Sequence, residues 1–327
     1  MSEPPAILEL RDLRVSLGGR RHWLRRAVPA VGGVSFSVRQ GEILGLVGES
    51  GCGKTTLGRT VLGLQRETSG EIHLDGRLVS SAQSKRARVE RNDIHYVHQD
   101  AAAALDPWWS IGRTLEEGLI IHGVRKANER RERVREMLVA VGLDESVLPR
   151  YPHELSGGQL RRVTLARTLV LQPRFIIFDE PTSGLDMSVQ AMVLNLLLEL
   201  RGRLGLTYLF ISHDLSVVER FCDRVAIMYL GRIVELASTG KIFATPRHPY
   251  TRALLAAIPR LEPKPKRAGR LVQSEPPSTA CLGCAFSNRC PHVEPACVST
   301  EPALENVLDH HVACRRWQEL RSDARAA

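Results

Sequence analysis

The chain has 327 residues, and its 45 lysines and arginines outnumber its 36 aspartates and glutamates, which gives a formal net charge of +9. Hydrophobic residues make up 43% and charged residues 25%, which excludes a disordered or collagen-like chain. No apolar run approaches the roughly 20 residues of a membrane-spanning helix, and the first residues lack the features of a signal peptide. We therefore expect a soluble cytoplasmic chain, with one large domain or one domain of about 250 residues and a smaller one.

Strands and helices alternate in the predicted structure up to about residue 245. In chain order, the hydrophobic pattern predicts strands at Val34–Val38 and Glu42–Val47, a helix at Lys54–Leu64, mostly helical structure at 114–171, a strand at Phe175–Phe178, a helix at Val189–Leu200 and a strand at Tyr208–Ile211. This alternation predicts an α/β fold whose sheet has a parallel core.

The last 80 or so residues differ in composition. Seven prolines between Pro246 and Pro277 punctuate a basic stretch, which predicts loops, and residues 260–280 have the composition of a linker. Five of the seven cysteines lie in this region, namely Cys281, Cys284, Cys290, Cys297 and Cys314. Because disulfides are rare in a reducing cytoplasm, this cluster indicates a metal site or free thiols.

A phosphate-binding loop (the P-loop) is predicted at Gly48–Thr55. Its sequence GESGCGKT fits G-x-x-x-x-G-K-[ST] and lies between a predicted strand and a predicted helix. Glycines let consecutive N–H groups face phosphate oxygens, and the helix dipole favours the anion. We expect Lys54 to reach the β- and γ-phosphates and the Thr55 hydroxyl to bind Mg²⁺. The nucleotide-binding residues predicted in this segment are Gly48, Ser50, Gly51, Cys52, Gly53, Lys54, Thr55 and Thr56.

An acidic pair ends a predicted buried strand. The run Phe175–Asp179 delivers Asp179 to the carboxyl end of the strand, where α/β sheets place their sites, and a P-loop needs a second group on its metal. The adjacent Glu180 can polarise a water aimed at the γ-phosphate. We therefore predict Asp179 as a Mg²⁺ ligand and Glu180 as the catalytic base.

A second glycine-rich segment, Leu155–Gln159, precedes a helical pattern that runs to Leu171. Its Ser-Gly-Gly sequence can place a helix N-terminus against an anion, or it can simply cap the helix. Because the nucleotide already has a cradle at Lys54, a second phosphate-facing helix predicts a composite site that another subunit completes.

These motifs, in this order, resemble those of the ATP-binding subunits of ABC transporters. In that resemblance Gln99 occupies the Q-loop position, Ser183–Asp186 the D-loop, and His213 the switch position. The resemblance implies a P-loop NTPase fold with a RecA-like core, an antiparallel β subdomain and a helical subdomain at about 100–171. It implies a nucleotide-binding domain at 1–245 and a small Cys-rich C-terminal extension at 246–327.

The resemblance also implies ATP hydrolysis in a head-to-tail dimer, in which each ATP lies between one P-loop and the partner's Leu155–Gln159 segment. The residues implied to act on the partner's nucleotide are Ser156, Gly157, Gly158 and Asp186. Gln99 would approach Mg²⁺ and the attacking water, and His213 would contact the γ-phosphate. The implied catalytic residues are Lys54, Glu180 and His213.

Three phrases, at Gly45–Lys54, Tyr151–Ser156 and His248–Leu254, resemble the oligopeptide/dipeptide/nickel importer branch, and Ser110–Glu117 is similar to the second of its two paired ATPase subunits. The implied function is ATP-driven import of peptides or a similar small solute from the cytoplasmic face of the membrane. The implied partners are a second ATPase subunit, two permease subunits and an extracytoplasmic solute-binding protein, without nucleic acid. The alternative is a soluble ABC-type ATPase that acts on nucleic acid or ribosomes.

Four of the late cysteines, Cys284, Cys290, Cys297 and Cys314, match a pattern that holds an iron–sulfur cluster in related proteins. The resemblance therefore implies a [4Fe–4S] cofactor beside ATP and Mg²⁺. The spacing itself matches neither short-paired zinc patterns nor the tight ferredoxin run. From the residues alone, a cluster, a zinc ion and free thiols all stay open, and Cys281 is an alternative ligand.

Four features depart from the branch pattern, namely Leu17, the pair Ala101 and Asp106 after Gln99, Arg161 just after the Leu155–Gln159 segment, and Trp108–Trp109. Leu17 occupies the position where an aromatic ring stacks on adenine, which leaves Trp23 or His22 as substitutes. The unusual pair Trp108–Trp109 lies in the region expected to contact the membrane subunit, and we expect it to pack against helices rather than to bind a ligand.

Overall fold

A computed structural model describes residues 4–18, 28–81, 93–98, 105–258 and 282–320. The chain divides into two compact units. The signature unit comprises residues 1–5, 39–42 and 88–211, and the P-loop unit comprises residues 6–38, 43–87 and 212–327. In the described ranges, no helix has the length and apolar character needed to cross a membrane.

Twelve strands and nine α-helices lie in the described ranges. The strands, in chain order, are β1 (Ala6–Leu17), β2 (Val28–Arg39), β3 (Ile43–Val47), β4 (Ser69–Leu74), β5 (Arg77–Ser81), β6 (Ile94–Val97), β7 (Phe175–Asp179), β8 (Thr207–Ser212), β9 (Arg224–Tyr229), β10 (Arg232–Ser238), β11 (Glu305–Asn306) and β12 (His310–Val312). The α-helices are α1 (Lys54–Val61), α2 (Ile111–Ile121), α3 (Ala127–Ala140), α4 (Gly157–Leu169), α5 (Met187–Leu204), α6 (Leu215–Phe221), α7 (Thr239–Ala244), α8 (Pro249–Ala256) and α9 (Pro295–Ser299).

The signature unit is built on three parallel strands. Strand β7 lies between β6 and β8 and pairs with both in parallel. All five residues of β7 are buried, as expected for a strand that is covered on both faces. The Phe178 and Tyr208 rings meet edge to face at 5.1 Å, which fixes the end of β7 where the acidic pair lies. Helix α2 contacts both α3 and α4, which forms a helical layer in this unit.

The P-loop unit contains two sheets. Strands β2, β1, β4 and β5 form a four-stranded sheet in that order, with antiparallel β1–β4 and β4–β5 pairs. In the other sheet β3 pairs in parallel with β9, and β10, β12 and β11 follow as antiparallel neighbours. The last two of these strands come from the C-terminal segment, so that segment extends the sheet that contains the P-loop strand β3.

The parallel core predicted from the alternation of strands and helices is confirmed by the pairs of β7 with β6 and β8. The prediction of loops beyond residue 245 is wrong for α8, which runs from Pro249 to Ala256. A proline is tolerated at the first helical position because its missing N–H has no partner within the helix there. The His248 side chain caps this helix by accepting a hydrogen bond from the Tyr250 N–H at 3.1 Å.

Candidate nucleotide-binding site

The P-loop curls between β3 and α1 with Lys54 at its centre. The Lys54 side chain is buried, at 5% exposure, and its ammonium donates hydrogen bonds to the carbonyl oxygens of Gly48 at 2.7 Å and Glu49 at 3.1 Å. These carbonyls hold the Lys54 ammonium inside the same loop whose backbone N–H groups would bind a phosphate. This arrangement suits a loop that receives an anion.

Two glycines are required by the close approach of other backbone to the loop. A Cβ at Gly48 would lie 2.1 Å from the carbonyl oxygen of Met228. Gly53 has a φ of +107°, and a Cβ there would lie 2.2 Å from the carbonyl oxygen of Ala30. Both contacts are far below any tolerated Cβ distance, so only glycine fits at these two positions.

The remaining predicted residues of the loop differ in accessibility. Ser50 and Gly51 are exposed at its tip, while Thr55 and Thr56 are half-buried in the first turn of α1. The Cys52 side chain is buried, and burial raises the pKa of its thiol. In the same unit, His213 is exposed and directly follows the last residue of β8.

The acidic pair lies at the carboxyl end of β7 in the signature unit, as predicted. Asp179 is the last residue of that strand and accepts a 2.5 Å hydrogen bond from the Tyr96 hydroxyl. Glu180 follows with a φ of +52°, a left-handed conformation that is uncommon for a residue with a side chain. Its N–H donates to the Ile211 carbonyl at 2.9 Å, which keeps Glu180 at the edge of the parallel strands.

The Leu155–Gln159 segment forms the N-terminus of α4. Ser156 caps the helix: its hydroxyl accepts from the Gln159 N–H at 3.3 Å, and the Gln159 side chain accepts from the Ser156 N–H at 3.0 Å. Ser156, Gly157 and Gly158 are exposed, and a Cβ on either glycine would meet no atom of the described residues within 4 Å. The segment therefore serves as a cap and also presents an open helix N-terminus.

Asp186 lies at the N-terminus of α5 in the signature unit. Its carboxylate accepts hydrogen bonds from the N–H groups of Ser188 at 3.0 Å and Val189 at 2.9 Å. The Ser188 hydroxyl, with these backbone N–H groups, lowers the pKa of Asp186. Capping of α5 is therefore a sufficient structural reason for an aspartate at position 186.

Several predicted residues lie outside the described residues, namely Gln99, His22, Trp23 and Cys281. Leu17 is the last residue of β1 and is 41% exposed. The expectation that Trp108 packs against helices is wrong, since its side chain is 86% exposed. The neighbouring Trp109 is covered instead by the Arg113 guanidinium, 3.8 Å from the ring centroid.

Comparison with known proteins identifies the family. A family model described as ABC transporter matches residues 31–183, and one described as oligopeptide/dipeptide transporter, C-terminal region matches residues 234–297. The chain is 42% identical over 324 residues to the oligopeptide transport ATP-binding protein OppF of Escherichia coli, which covers 96% of this chain and 97% of that protein. The chain belongs to the ABC transporter family.

A second relative and a solved structure agree with this assignment. The dipeptide transport ATP-binding protein DppF of Haemophilus influenzae is 46% identical over 290 residues, which are 88% of this chain and 89% of that protein. The structure of cbiO1 from Clostridium perfringens, part of the ABC transporter complex cbiONQ, matches with a TM-score of 0.65 and 29% identity over 75% of this chain and 92% of that one. The predicted family and fold are thereby confirmed, and the chain is an ATP-binding ABC ATPase.

The C-terminal region of this ABC ATPase brings four thiols to one cavity in the P-loop unit. Cys284, Cys290, Cys297 and Cys314 all line it, and none of them forms a disulfide. Burial is the main cause that raises the pKa of Cys284, Cys290 and Cys314, and neighbouring thiols add to it; the pKa of Cys314 rises to about 11.

These thiols provide the donor chemistry of an iron–sulfur or zinc site, since thiolates are the usual ligands of both. However, the part of the chain that the structure describes contains no group of three or more His, Cys, Asp or Glu side chains arranged to hold a metal ion. The structure thus supports a common thiol cavity, and a metal centre is not shown.

Sequence reasoning missed two residues that contact the predicted site of this ABC ATPase. Tyr96, on the short strand β6, donates to Asp179. Arg289, in the C-terminal region, hydrogen-bonds to the Glu49 carboxylate of the P-loop at 2.9 Å. The residues around Tyr96 mix apolar side chains with His95 and His98 and give no clear strand pattern, and no motif includes Arg289.

Proposed function

We propose that this ATPase hydrolyses ATP to power the import of peptides, dipeptides or oligopeptides, through partner membrane subunits of an ABC transporter. The observation that carries the proposal is the P-loop with its buried Lys54, in a chain that also has the oligopeptide/dipeptide transporter C-terminal region. The names of OppF and DppF, which refer to oligopeptide and dipeptide transport, support peptides as the solute class. Nothing favours the alternative of an ATPase acting on nucleic acid or ribosomes.

In the proposed reaction, a water that gives a proton to Glu180 attacks the γ-phosphorus in line. The bond from that phosphorus to the β–γ bridging oxygen breaks, and ADP and inorganic phosphate leave. Lys54 neutralises charge on the β- and γ-phosphates, and Thr55, Asp179 and Gln99 bind or approach Mg²⁺. His213 contacts the γ-phosphate. The burial of Lys54 and the position of Asp179 at a strand end support these roles.

We further propose that two ATPase subunits close around two MgATP, with a second, different ATPase chain as the partner. The exposed N-terminus of α4, with Ser156, Gly157 and Gly158, would then face the partner's γ-phosphate, and Asp186 would act across the interface. The open space at both glycines supports this role, because none of the described residues would contact a Cβ there.

The remaining partners in this proposal are two permease subunits and an extracytoplasmic solute-binding protein, with the ATPase peripheral on the cytoplasmic face of the membrane. The same proposal divides the chain into a nucleotide-binding domain at 1–245 and a C-terminal extension at 246–327. A tagged pull-down from detergent-solubilised membranes tests it. We expect two polytopic permeases and a second ATPase. Ribosomes or nucleic acid without any membrane protein would overturn the transport function and leave the ATPase activity standing.

We also propose that Cys284, Cys290, Cys297 and Cys314 hold a [4Fe–4S] cluster. Their convergence on one cavity, and the match of the C-terminal region, support it. Anaerobic purification followed by iron and acid-labile sulfide analysis should find about four of each per chain. Stoichiometric zinc without sulfide would replace the cluster by a zinc site, and the absence of both would leave free thiols.

A further inference from the structure

A single residue of the P-loop, Glu49, is held by the C-terminal part of the chain. Arg289 ends a short 3₁₀ turn at Ser287–Arg289, immediately before Cys290. Its guanidinium donates a 2.9 Å hydrogen bond to the Glu49 carboxylate and also lies 3.5 Å from the Tyr229 hydroxyl. The Arg289 side chain is only 13% exposed, whereas that of Glu49 is 45% exposed.

We propose that Arg289 is a positioning residue for the ATP site, which acts through Glu49 to hold the P-loop in the conformation that receives the phosphates. This inference rests on the proposed ATP-binding role of the loop. It extends that role by adding a residue 240 positions away in sequence, in the C-terminal extension.

Three contacts converge on Glu49 from different parts of the P-loop unit. Its carboxylate accepts from Arg289, its N–H donates to the Tyr250 hydroxyl at 3.1 Å, and its carbonyl accepts from the Lys54 ammonium at 3.1 Å. The residue that Arg289 holds therefore carries one of the two carbonyls that hold the phosphate-binding lysine. A shift of Glu49 would move that carbonyl and with it a hydrogen bond of Lys54.

The segment that carries Arg289 is anchored by closely packed aromatic rings. Phe286, three residues earlier, is 1% exposed and packs on the rings of Tyr229 at 5.3 Å and Tyr250 at 5.5 Å. Tyr229 and Tyr250 also contact each other, with ring centroids 4.6 Å apart. Because this aromatic cluster anchors both the segment that carries Arg289 and the hydroxyl that binds Glu49, the two contacts are set by one packed unit.

The ion pair between Arg289 and Glu49 differs from an ordinary surface ion pair, because the Arg289 side chain is largely buried. A charge-assisted hydrogen bond from a largely buried guanidinium is stronger and better oriented than a pair between two exposed side chains. A positioning role predicts that the loss of Arg289 weakens nucleotide binding, because ordering the loop into its bound shape then costs free energy. The chemical step, which Glu180 is proposed to perform, should change little.

The experiment compares Arg289→Ala, Arg289→Lys and Glu49→Ala, and the double variant Arg289→Ala/Glu49→Ala, in the full-length chain. Binding of a fluorescent N-methylanthraniloyl ATP analogue is measured on the chain itself, and the KM and kcat for MgATP are measured together with the proposed partner ATPase. We expect Arg289→Ala to raise both Kd and KM by roughly tenfold with kcat nearly unchanged, and Arg289→Lys to restore part of the loss. The double variant should be no worse than Glu49→Ala, since both changes remove the same contact.

Arg252→Ala is the matched control. Arg252 donates to the carbonyl oxygens of Pro246 and Leu320 and so also holds the C-terminal segment, but its described contacts do not include the P-loop. Its loss should leave Kd for the analogue unchanged, while circular dichroism and thermal unfolding verify that every variant is folded. If Arg289→Ala does not fold, Glu49→Ala and Glu49→Gln test the contact from the loop side.

An unchanged Kd and KM in Arg289→Ala would overturn the inference, as would effects of the two single changes that simply add in the double variant. Equal losses in Arg252→Ala would reduce Arg289 to a structural contact and would overturn it too. Because binding is measured separately from hydrolysis, a wild-type chain that binds ATP but does not hydrolyse it even with the proposed partner ATPase would count against the proposed function alone.

Discussion

Glu180 combines an unusual backbone conformation with the position from which a water could be activated. Its φ of +52° turns the chain directly after β7, so its side chain leaves the strand end beside Asp179. Glu180→Gln keeps the size of this side chain but removes the base. We expect ATP binding to persist while turnover falls roughly 10²- to 10⁴-fold. Single-turnover hydrolysis and analogue binding measure both quantities, and full turnover would remove this role from Glu180.

Lys54 should show the opposite pattern. Its buried ammonium is proposed to donate charge-assisted hydrogen bonds to phosphate oxygens, so Lys54→Ala would remove interactions that are already made in the bound state. We expect ATP binding to weaken on the order of ten- to hundredfold. Isothermal titration with ATP measures this, with Glu180→Gln as the variant that should still bind. Wild-type affinity in Lys54→Ala would show that the loop backbone alone holds the nucleotide.

Tyr96 gives a third prediction at the residue scale, because its hydroxyl donates to the carboxylate proposed to bind Mg²⁺. Tyr96→Phe removes one of the contacts that orient the Asp179 carboxylate, which should raise the Mg²⁺ concentration for half-maximal ATPase activity several-fold. Saturating Mg²⁺ should restore the rate. The matched control is Tyr208→Phe, which deletes a buried hydroxyl that donates to the Leu197 carbonyl at 3.0 Å in the same unit. If both variants have the same Mg²⁺ dependence, Tyr96 does not position the ligand.

At the scale of elements, the N-terminus of α4 separates two roles of one serine. Ser156→Ala removes the hydroxyl that accepts from the Gln159 N–H and should cost about 1 kcal/mol of stability. Ser156→Asp keeps a good capping residue but presents a negative charge to the proposed phosphate of the partner. We expect Ser156→Asp to melt like the wild type while its ATPase activity is lost. Thermal unfolding measures the stability of both variants and the wild type, and steady-state hydrolysis with the proposed partner ATPase measures their activity.

The outcome also decides what the helix end does. Wild-type activity in Ser156→Asp would leave the segment with capping as its only role. Gly157→Ala adds a Cβ where no described residue lies within 4 Å, so it should fold normally and gives a second test of this helix end. A loss of activity there as well would indicate that the partner's nucleotide, rather than this chain, fills the space.

The elements that could be predicted from the sequence are those with a continuous hydrophobic pattern and clear boundaries. Strands β3, β7 and β8 are continuous apolar runs bounded by glycine or polar residues, and these boundaries place the P-loop and the acidic pair. Strand β6 has only four residues, too few for a reliable period, so Tyr96 was missed. The prediction of loops after residue 245 was wrong at α8, because a proline can occupy the first position of a helix as well as end one.

Contacts between distant residues leave no such signal. The pairing of Glu49 with Arg289 spans 240 residues and depends on how β12 and the C-terminal segment join the sheet. Neither residue type nor spacing distinguishes this pair from solvated surface charges. The roles of the residues that would contact the nucleotide could therefore be proposed from sequence motifs. The residues that hold them in place could be identified only from the three-dimensional structure.

At the scale of the whole molecule, one buried carboxylate joins three distant parts of the chain. Glu235 on β10 is fully buried and accepts from the His310 ring on β12 at 2.6 Å. It also accepts from the N–H groups of Arg247 at 2.7 Å and His248 at 2.9 Å, where the chain enters α8. Burial opposes the charged carboxylate, but these hydrogen bonds outweigh it, so the pKa of Glu235 lies below its ordinary value of 4.5.

The sign of the pH effect follows from this direction. A carboxylate with a lowered folded-state pKa contributes stability that is fully present above the unfolded value of 4.5 and is lost as pH falls through the lower folded value. Glu235→Gln has one acceptor oxygen instead of two, so at least one buried donor loses its partner. We expect this variant to be less stable than the wild type at pH 7 by on the order of 2–4 kcal/mol.

The difference between the two proteins should then shrink as pH falls below 4.5, because protonation removes from the wild type the charge that the variant already lacks. Urea unfolding at pH 7 and at steps below pH 4.5 measures it. Glu9→Gln is the control: Arg11 lowers the pKa of Glu9 as well, but this pair is exposed and screened by solvent, so little stability depends on it at any pH. A wild-type advantage over Glu235→Gln that stays constant with pH would mean that Glu235 acts through its shape and not its charge. In that case the C-terminal segment would be joined to the P-loop unit by strand pairing and packing alone.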